Sequence, residues 1–334
     1  MTLRIAVLDD YQQQALTSAD WSRLPADAQV TAFQDHLFDE DAIVGRLQDF
    51  DVVIGMRERT PFRRSLLERL PNLRLLMTTG MGNASYDFPA ATDLGIPVAG
   101  TSMAPGPVTA ELAWGLILSL VRRIPKEDAA VRMGEWQLTL GEGLYGKTLG
   151  IVGLGRLGTA VARVGLAFQM RVLAWSQNLT PEKAREAGVD YATKEQLFRE
   201  SDIVTIHYVL SERSRDLIGA SDIGLMKPTA YLVNTSRGPI VNESALVAAL
   251  TERKIAGAGL DVFEVEPLPS DHPFRRLENT VITPHLGYVT VEAYRAMFAN
   301  AVENIQTWLA GDPTRVINPA VLDSPKLRPA GVSG

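Results

Sequence analysis

The sequence predicts an α/β protein with two doubly wound parallel sheets. Short apolar runs rich in β-branched residues alternate with longer segments of helical periodicity, as expected when helices cover both faces of a parallel sheet. The alternation occurs in two series, separated by a long apolar helix predicted at 109–123. A chain of 334 residues has the length for two such domains.

The first series occupies the first hundred residues of the chain. Its predicted strands are 3–8, 51–55, 73–78 and 96–99, and its predicted helices are 41–47, 62–70 and 86–94. The strands of the second series are predicted at 149–152, 171–174, 203–207, 231–234, 257–260 and 281–283. A last helix over 291–309 ends before Gly311-Asp312-Pro313, and the tail from Ser324 is predicted to be frayed.

Composition excludes several functional classes. A net charge of -6 argues against a nucleic-acid partner, and the absence of cysteine excludes thiolate catalysis and disulfides. The four histidines lie too far apart in sequence for a local metal motif, so no metal is predicted. His36 and His272 lie in polar stretches and are predicted to be surface residues. No signal peptide or membrane-spanning run is visible, which predicts a cytoplasmic protein without a membrane partner.

A glycine-rich loop follows the first strand of the second series. Gly153, Gly155 and Gly158 form the pattern G-x-G-x-x-G, and the next helix is predicted at 157–168. In this context the first glycine allows a tight turn, the second lets a pyrophosphate approach the backbone, and the third lets the helix pack on the strand. Free N–H groups at the helix start then face the phosphates. The loop therefore predicts a dinucleotide site.

The coenzyme type depends on the end of the next strand, where an acidic residue would accept a hydrogen bond from the ribose of NAD. Ser176 occupies this position, followed by Gln177 and Asn178. No acid repels a 2′-phosphate there, and no arginine binds one. The prediction is NAD, with NADP possible, because the charge that favours NADP is missing.

Three polar segments follow three later strands, and ligands bind at such strand ends in doubly wound sheets. They contain Arg237, the pair Glu264 and Glu266, and His285. An arginine can bind a carboxylate and polarise a carbonyl, and a histidine can exchange a proton with the resulting alkoxide. A neighbouring carboxylate would favour the protonated imidazole, but these residues alone do not decide between the two glutamates. His207 also ends a strand and is predicted to line the adenosine side of the coenzyme.

These motifs together resemble the D-isomer-specific 2-hydroxyacid dehydrogenase family, whose members include phosphoglycerate dehydrogenases and glyoxylate-hydroxypyruvate reductases. The matching segments are the glycine loop, Asn234-Thr235-Ser236-Arg237-Gly238, Asp261-Val262-Phe263 with Glu266-Pro267, and Pro284-His285-Leu286-Gly287. The resemblance implies D-specific hydride transfer between NAD(P)H and a small 2-keto or 2-hydroxy acid. It also implies two Rossmann-like domains with a cleft between them, and a homodimer. The substrate (lid) domain would comprise 1–101 plus 289–334, and the dinucleotide-binding domain 102–288.

The resemblance also implies roles for individual residues. It assigns catalysis to Arg237, Glu266 and His285, and thus selects Glu266 over Glu264. The predicted coenzyme contacts are Gly153, Gly155, Arg156, Leu157, Gly158, Ser176, His207, Thr235, Ser236, Asp261 and Gly287, with Asp261 near the nicotinamide carboxamide. The predicted substrate contacts are Arg57 and the backbone of Met81 and Gly82.

Two alternatives stay open. One is an NADH-responsive binding protein, like the C-terminal-binding-protein corepressors. The other is a relative that acts on formate or phosphite. Within the main prediction the acid itself is open, and glyoxylate, hydroxypyruvate, a phosphorylated acid and a bulkier aryl keto acid all fit.

Overall fold

The computed structural model describes residues 2–102 and 106–330. It divides the chain into two compact units. Unit 1 combines the amino-terminal part of the chain, Met1–Pro105, with the carboxy-terminal part, Thr290–Gly334. Unit 2 is the continuous segment Gly106–Val289.

All the strands of the described chain belong to one of two sheets. In chain order they are β1 (Arg4–Val7), β2 (Gln29–Ala32), β3 (Val52–Gly55), β4 (Leu75–Thr78), β5 (Val98–Gly100), β6 (Thr148–Val152), β7 (Arg171–Trp175), β8 (Asp190–Tyr191), β9 (Ile203–Ile206), β10 (Tyr231–Asn234), β11 (Gly257–Leu260) and β12 (Thr280–Ile282). Unit 1 holds a five-stranded sheet in the order β2-β1-β3-β4-β5, and unit 2 a seven-stranded sheet in the order β12-β11-β10-β9-β6-β7-β8. Every neighbouring pair is parallel.

Helices separate most of these strands along the chain. They are α1 (Glu40–Leu47), α2 (Arg64–Leu67), α3 (Phe88–Asp93), α4 (Val108–Val121), α5 (Ile124–Arg132), α6 (Arg156–Ala167), α7 (Pro181–Glu186), α8 (Lys194–Glu200), α9 (Ala220–Ile223), α10 (Glu243–Thr251) and α11 (Val291–Leu309). The predicted α/β class with two parallel sheets is confirmed.

Both faces of the unit 2 sheet are buried, which explains its continuous apolar strands. In β10 the side chain of Leu232 joins one core cluster, whereas Tyr231 and Val233 join a second cluster on the opposite face. Helix α4 covers the second face with Leu116 and Leu120. Because all strands run in the same direction, their carboxyl ends meet at one edge of the sheet. The polar segments that follow the strands are thereby brought to that edge.

The prediction gave no bounds for two edge strands, for helix α5 or for helices α7 to α10. Strand β2 lies at the edge of its sheet, and its residues alternate between exposed and half-buried, so it has no continuous apolar run. Strand β8 is two residues long, at the other sheet's edge, and both residues are exposed. Helix α5 follows Arg123, whose left-handed backbone (φ 56°) ends the preceding helical segment.

The prediction of a frayed tail from Ser324 is wrong as far as Arg328. The backbone N–H of Arg328 donates to the carbonyl of Gly95 at 2.8 Å. Its guanidinium donates to the carbonyls of Leu70 at 2.9 Å and Leu73 at 2.6 Å. These carbonyls lie outside the strands and helices, in the segments before β4 and after α3, so the hydrogen bonds from Arg328 stabilise the tail.

Among the described residues, no helix combines the length and apolar character that crossing a bilayer requires.

Candidate active site

The glycine loop of unit 2 has the geometry of a dinucleotide-binding turn. Gly153 has a φ of 99°, a left-handed conformation that other residues rarely adopt, and a Cβ there would collide with the carbonyl of His207. At Gly158 a Cβ would collide with the carbonyl of Gly153. Nothing lies within 4 Å of the position that a Cβ of Gly155 would take. The loop is therefore closely packed against β9 and α6 but open at its middle glycine.

The polar atoms around this loop fit a pyridine dinucleotide. Gly155 caps α6, whose first residues, Arg156 and Leu157, present backbone N–H groups at the positive end of the helix dipole. The hydroxyl of Thr235 and Nδ1 of His207 are buried and have no hydrogen-bond partner within the described part of the chain. Unsatisfied buried polar groups are costly, so both atoms point to a bound polar ligand.

His207 is neutral at physiological pH. Burial lowers the pKa of its imidazole to about 4, and Nε2 lies 3.0 Å from the hydroxyl of Thr205. The residue lies directly after β9, beside the glycine loop. In this form the ring offers a neutral hydrogen-bonding group to a coenzyme.

The end of β7 is built from Trp175 and the half-buried Ser176. The rings of Trp175 and Tyr208 are stacked, with centroids 6.4 Å apart. A nearby cation, Lys194, lies 5.8 Å from the Trp175 ring, but its ammonium is 2.9 Å from the carboxylate of Asp222. The positive charge of Lys194 is thus already paired.

Arg237 is held by a network that joins β9 and β10. The side chain of Asn234 donates to the carbonyl of Arg237 at 3.0 Å and accepts from the N–H of Ser236 at 3.0 Å. The hydroxyl of Ser236 donates to Ile206 at 2.8 Å. Arg237 itself donates from its guanidinium to the carbonyl of Ser236 at 2.7 Å. The sequence motif contains Asn234, but its role in shaping this loop was not predicted.

His285 and Glu266 form a close pair. Nδ1 of His285 lies 2.6 Å from Oε2 of Glu266, and the other oxygen of Glu266 accepts from the N–H of Phe263 at 2.9 Å. The imidazole is largely buried, with 12% of its side chain exposed. Glu264 is exposed and its backbone N–H faces Glu243, so Glu266 is the glutamate that pairs with His285.

A buried carboxylate holds the turn that carries His285. One oxygen of Asp261 accepts from the hydroxyl of Thr283 at 2.6 Å and from the N–H of Leu286 at 2.6 Å. The other oxygen accepts from the N–H of Gly287 at 2.9 Å. Burial raises the pKa of Asp261, and these hydrogen bonds oppose the rise by favouring the charged form. His285 has a φ of 56°, a left-handed backbone that this turn imposes.

Arg237, Glu266 and His285 follow β10, β11 and β12, which are adjacent strands of the unit 2 sheet. The predicted coenzyme residues of unit 2 also lie at strand ends on this sheet or on the turn into α6. The structure therefore gathers these predicted residues at one edge.

Unit 1 has its own polar edge, where the predicted substrate residues lie. Arg57 follows β3 with a φ of 52°, and its guanidinium donates to the carbonyl of Thr79 at 2.9 Å. Met81 and Gly82 are exposed in the loop after β4. Asn83, which the sequence reading did not select, donates to the carbonyl of Arg57 at 2.5 Å and thereby joins the two loops.

The prediction that His36 and His272 are surface residues is wrong. Nδ1 of His36 lies 2.8 Å from the carboxylate of Asp9, and 6% of the His36 side chain is exposed. Nε2 of His272 lies 3.0 Å from the carboxylate of Glu243, with 15% of the His272 side chain exposed. Each histidine is covered because it pairs with an acid distant in sequence, which local polarity cannot reveal.

Comparisons with known proteins agree with this geometry. Residues 114–287, more than half of the chain, match the model of the D-isomer specific 2-hydroxyacid dehydrogenase, NAD binding domain. A glyoxylate reductase of Aeropyrum pernix is 43% identical over 267 residues, which cover 77% of this chain and 80% of the relative. A glyoxylate reductase of Korarchaeum cryptofilum is 38% identical over 296 residues, 86% of this chain and 88% of the relative.

The solved structures show the same similarity across the fold. The crystal structure of a putative D-3-phosphoglycerate dehydrogenase from Ralstonia solanacearum superimposes with a TM-score of 0.91 at 38% identity, and covers 98% of this chain and 99% of its own. The fold and site define a pyridine-nucleotide-dependent oxidoreductase. The chain belongs to the D-isomer specific 2-hydroxyacid dehydrogenase family. It is an enzyme whose substrate is a small 2-hydroxy acid or the corresponding keto acid.

Proposed function

We propose that this enzyme reduces a small 2-keto acid to the D-2-hydroxy acid, and that Arg237, Glu266 and His285 form its catalytic set. The observation that carries the proposal is the 2.6 Å contact between His285 and Glu266 at the edge that also holds Arg237 and the glycine loop. The names of the relatives point to glyoxylate as a substrate of the right size.

Each side chain has a distinct part in the reduction. The guanidinium of Arg237 binds the substrate carboxylate and polarises the keto oxygen. Glu266 accepts from Nδ1 of His285, which leaves Nε2 to deliver a proton to the oxygen as it becomes an alkoxide. The pyridine nucleotide, when bound, supplies the hydride to the keto carbon. One hydride and one proton together convert the carbonyl to a hydroxyl.

The coenzyme would lie along the carboxyl edge of unit 2. The backbone around Gly155 would hold the pyrophosphate, and Thr235 and His207 would use their unsatisfied polar atoms. On unit 1, Arg57 and the backbone N–H groups of Met81 and Gly82 would contact the substrate.

The reaction is tested by following NADH and NADPH oxidation by absorbance against a panel of 2-keto acids that includes glyoxylate and hydroxypyruvate. We expect turnover with at least one acid, and a loss of about 10²–10⁴ in kcat for His285→Ala, since that variant lacks the proton donor. NADH binding, followed by its fluorescence, should persist.

His272→Gln is the matched control, because it also changes a buried histidine beside a glutamate of unit 2 but lies outside the proposed set. Near-normal turnover of His285→Ala would remove His285 from the mechanism. Silence of the wild-type enzyme across the whole panel would contradict the proposed substrate class.

We propose NAD(H) as the coenzyme. Ser176 places no positive charge at the ribose position, and the nearby ammonium of Lys194 is already paired with Asp222. Ser176 has no carboxylate to repel that phosphate either, which makes NADPH a weaker second coenzyme rather than an excluded one.

Ser176→Asp should lower the ratio of kcat/KM for NADPH over NADH by at least about tenfold, because the new carboxylate accepts from the ribose and repels a phosphate. Ser176→Asn, which has a similar shape without the charge, is the control. An unchanged ratio in the aspartate variant would show that this position does not read the ribose.

We propose that the enzyme is a homodimer, and that an apolar arm, residues 131–145, lies in the interface. Large apolar side chains of this arm are exposed: Val131, Met133, Trp136, Leu138, Leu140 and Tyr145. Leu140 is 96% exposed and Met133 82%. A cluster of this kind on a folded chain marks a protein interface. It is continuous with a pocket of about 280 Å³ lined by Leu144, Tyr145 and Phe168, which offers a place for a partner's side chain.

Light scattering on the purified chain should give twice the mass of one 36.5 kDa chain. Leu140→Asp should shift the measured mass toward that of one chain, since the dimer would have to bury the new charge in its interface. A wild-type mass of one chain at micromolar concentration would contradict the dimer.

A further inference from the structure

The loop after β3 in unit 1 places a carboxylate beside a fixed guanidinium. Nε of Arg57 lies 3.9 Å from Oε2 of Glu58. The Arg57 side chain is 16% exposed and that of Glu58 24%, and this oxygen of Glu58 is buried. Charges in such a setting are weakly screened, so each strongly affects the potential felt by a nearby ligand.

Arg57 does not need Glu58 to hold its position. Its guanidinium donates to the carbonyl of Thr79 at 2.9 Å, and its backbone N–H donates to the Thr79 hydroxyl at 3.0 Å. The guanidinium also fits tightly over Gly80, where a Cβ would collide with it. The carboxylate of Glu58 therefore changes the charge of this loop more than its shape.

Arg59, Asp9 and Asp10 add further charges of both signs at this edge. Arg59 donates to the backbone carbonyl of Asp9 at 3.1 Å and lies over the ring of Tyr11. Asp9 and Asp10, at the end of β1, are both buried. The Asp9 carboxylate lies 2.8 Å from Nδ1 of His36 and accepts from the Thr60 hydroxyl at 3.0 Å.

A phosphorylated keto acid brings about two further negative charges to its binding site, and a site that accepts it needs surplus cations or helix N-termini. A site that carries a carboxylate there repels it. Because the carboxylate of Glu58 lies 3.9 Å from Nε of Arg57 and offsets its positive charge, the loop favours a substrate whose only anion is the carboxylate of the 2-keto acid.

We propose that Glu58 determines substrate specificity by rejecting keto acids that carry a second anionic group, so that the enzyme takes unphosphorylated acids of the glyoxylate and hydroxypyruvate type. The proposal rests on the proposed function, which places Arg57 on the substrate side. It favours the substrate in the names of the glyoxylate reductase relatives over that of the phosphoglycerate dehydrogenase named among the solved structures.

The test compares hydroxypyruvate with 3-phosphohydroxypyruvate, two acids that differ only in a phosphoryl group. The wild-type enzyme should prefer hydroxypyruvate by about 100-fold in kcat/KM, and Glu58→Gln should reduce this preference by about tenfold or more, mainly through KM of the phosphorylated acid. The glutamine keeps the size of the side chain and removes its charge.

Glu68→Gln is the control, because it removes one negative charge from an exposed carboxylate of the same unit, 3.6 Å from Arg64. Its preference should equal that of the wild type. If the wild-type enzyme uses both acids equally, or if Glu58→Gln leaves the preference unchanged, the inference about Glu58 is wrong. The proposed function would not be affected by either result. No activity with any 2-keto acid and either coenzyme would overturn the proposed function and this inference with it.

Discussion

Burying the carboxylate of Asp261 beneath the turn after β12 costs desolvation free energy, which only specific hydrogen bonds can offset. The turn supplies them from the Thr283 hydroxyl and from the backbone N–H groups of Leu286 and Gly287. The same residue binds the turn through its backbone, since its carbonyl accepts from the N–H of His285 at 2.8 Å. The turn then forces His285 into a left-handed backbone and directs Nδ1 to Glu266. The contact between His285 and Glu266 thus depends on the buried carboxylate of Asp261.

Parallel strands connect this local arrangement to the rest of the sheet. Strands β10 and β11 have the predicted limits, because buried strands of a parallel sheet appear in sequence as short, uninterrupted apolar runs between polar segments. Edge strands β2 and β8 lack that signal, since one side of each is solvated and its residues are partly or fully exposed. Strands with an apolar run, including the edge strands β5 and β12, could therefore be predicted from the sequence, whereas the edge strands β2 and β8 could not.

Site residues could be predicted from the sequence where they belong to a contiguous motif. The glycine loop and the residues 237, 266 and 285 belong to contiguous motifs, and the sequence placed each at a strand end. The hydrogen bonds that hold the loops could not be predicted in this way. The side-chain amides of Asn234 and Asn83 donate to the carbonyls of Arg237 and Arg57. Asp9 pairs with His36, which lies 27 residues away in sequence. A hydrogen bond between residues distant in sequence leaves no periodic pattern in the local sequence, so it could not be predicted. The residue types alone left Glu264 and Glu266 open, and the family resemblance selected Glu266, whose carboxylate contacts the imidazole in the structure.

The most direct test of this account is a double-mutant cycle on kcat, at saturating NADH and keto acid, with Asp261→Asn and His285→Ala. If Asp261 acts by positioning His285, the asparagine variant should lose about 10- to 100-fold in the wild-type background and less than about threefold in the His285→Ala background. Losses that multiply in the double variant would contradict the account, since Asp261 would then act on the coenzyme or the fold independently of the histidine.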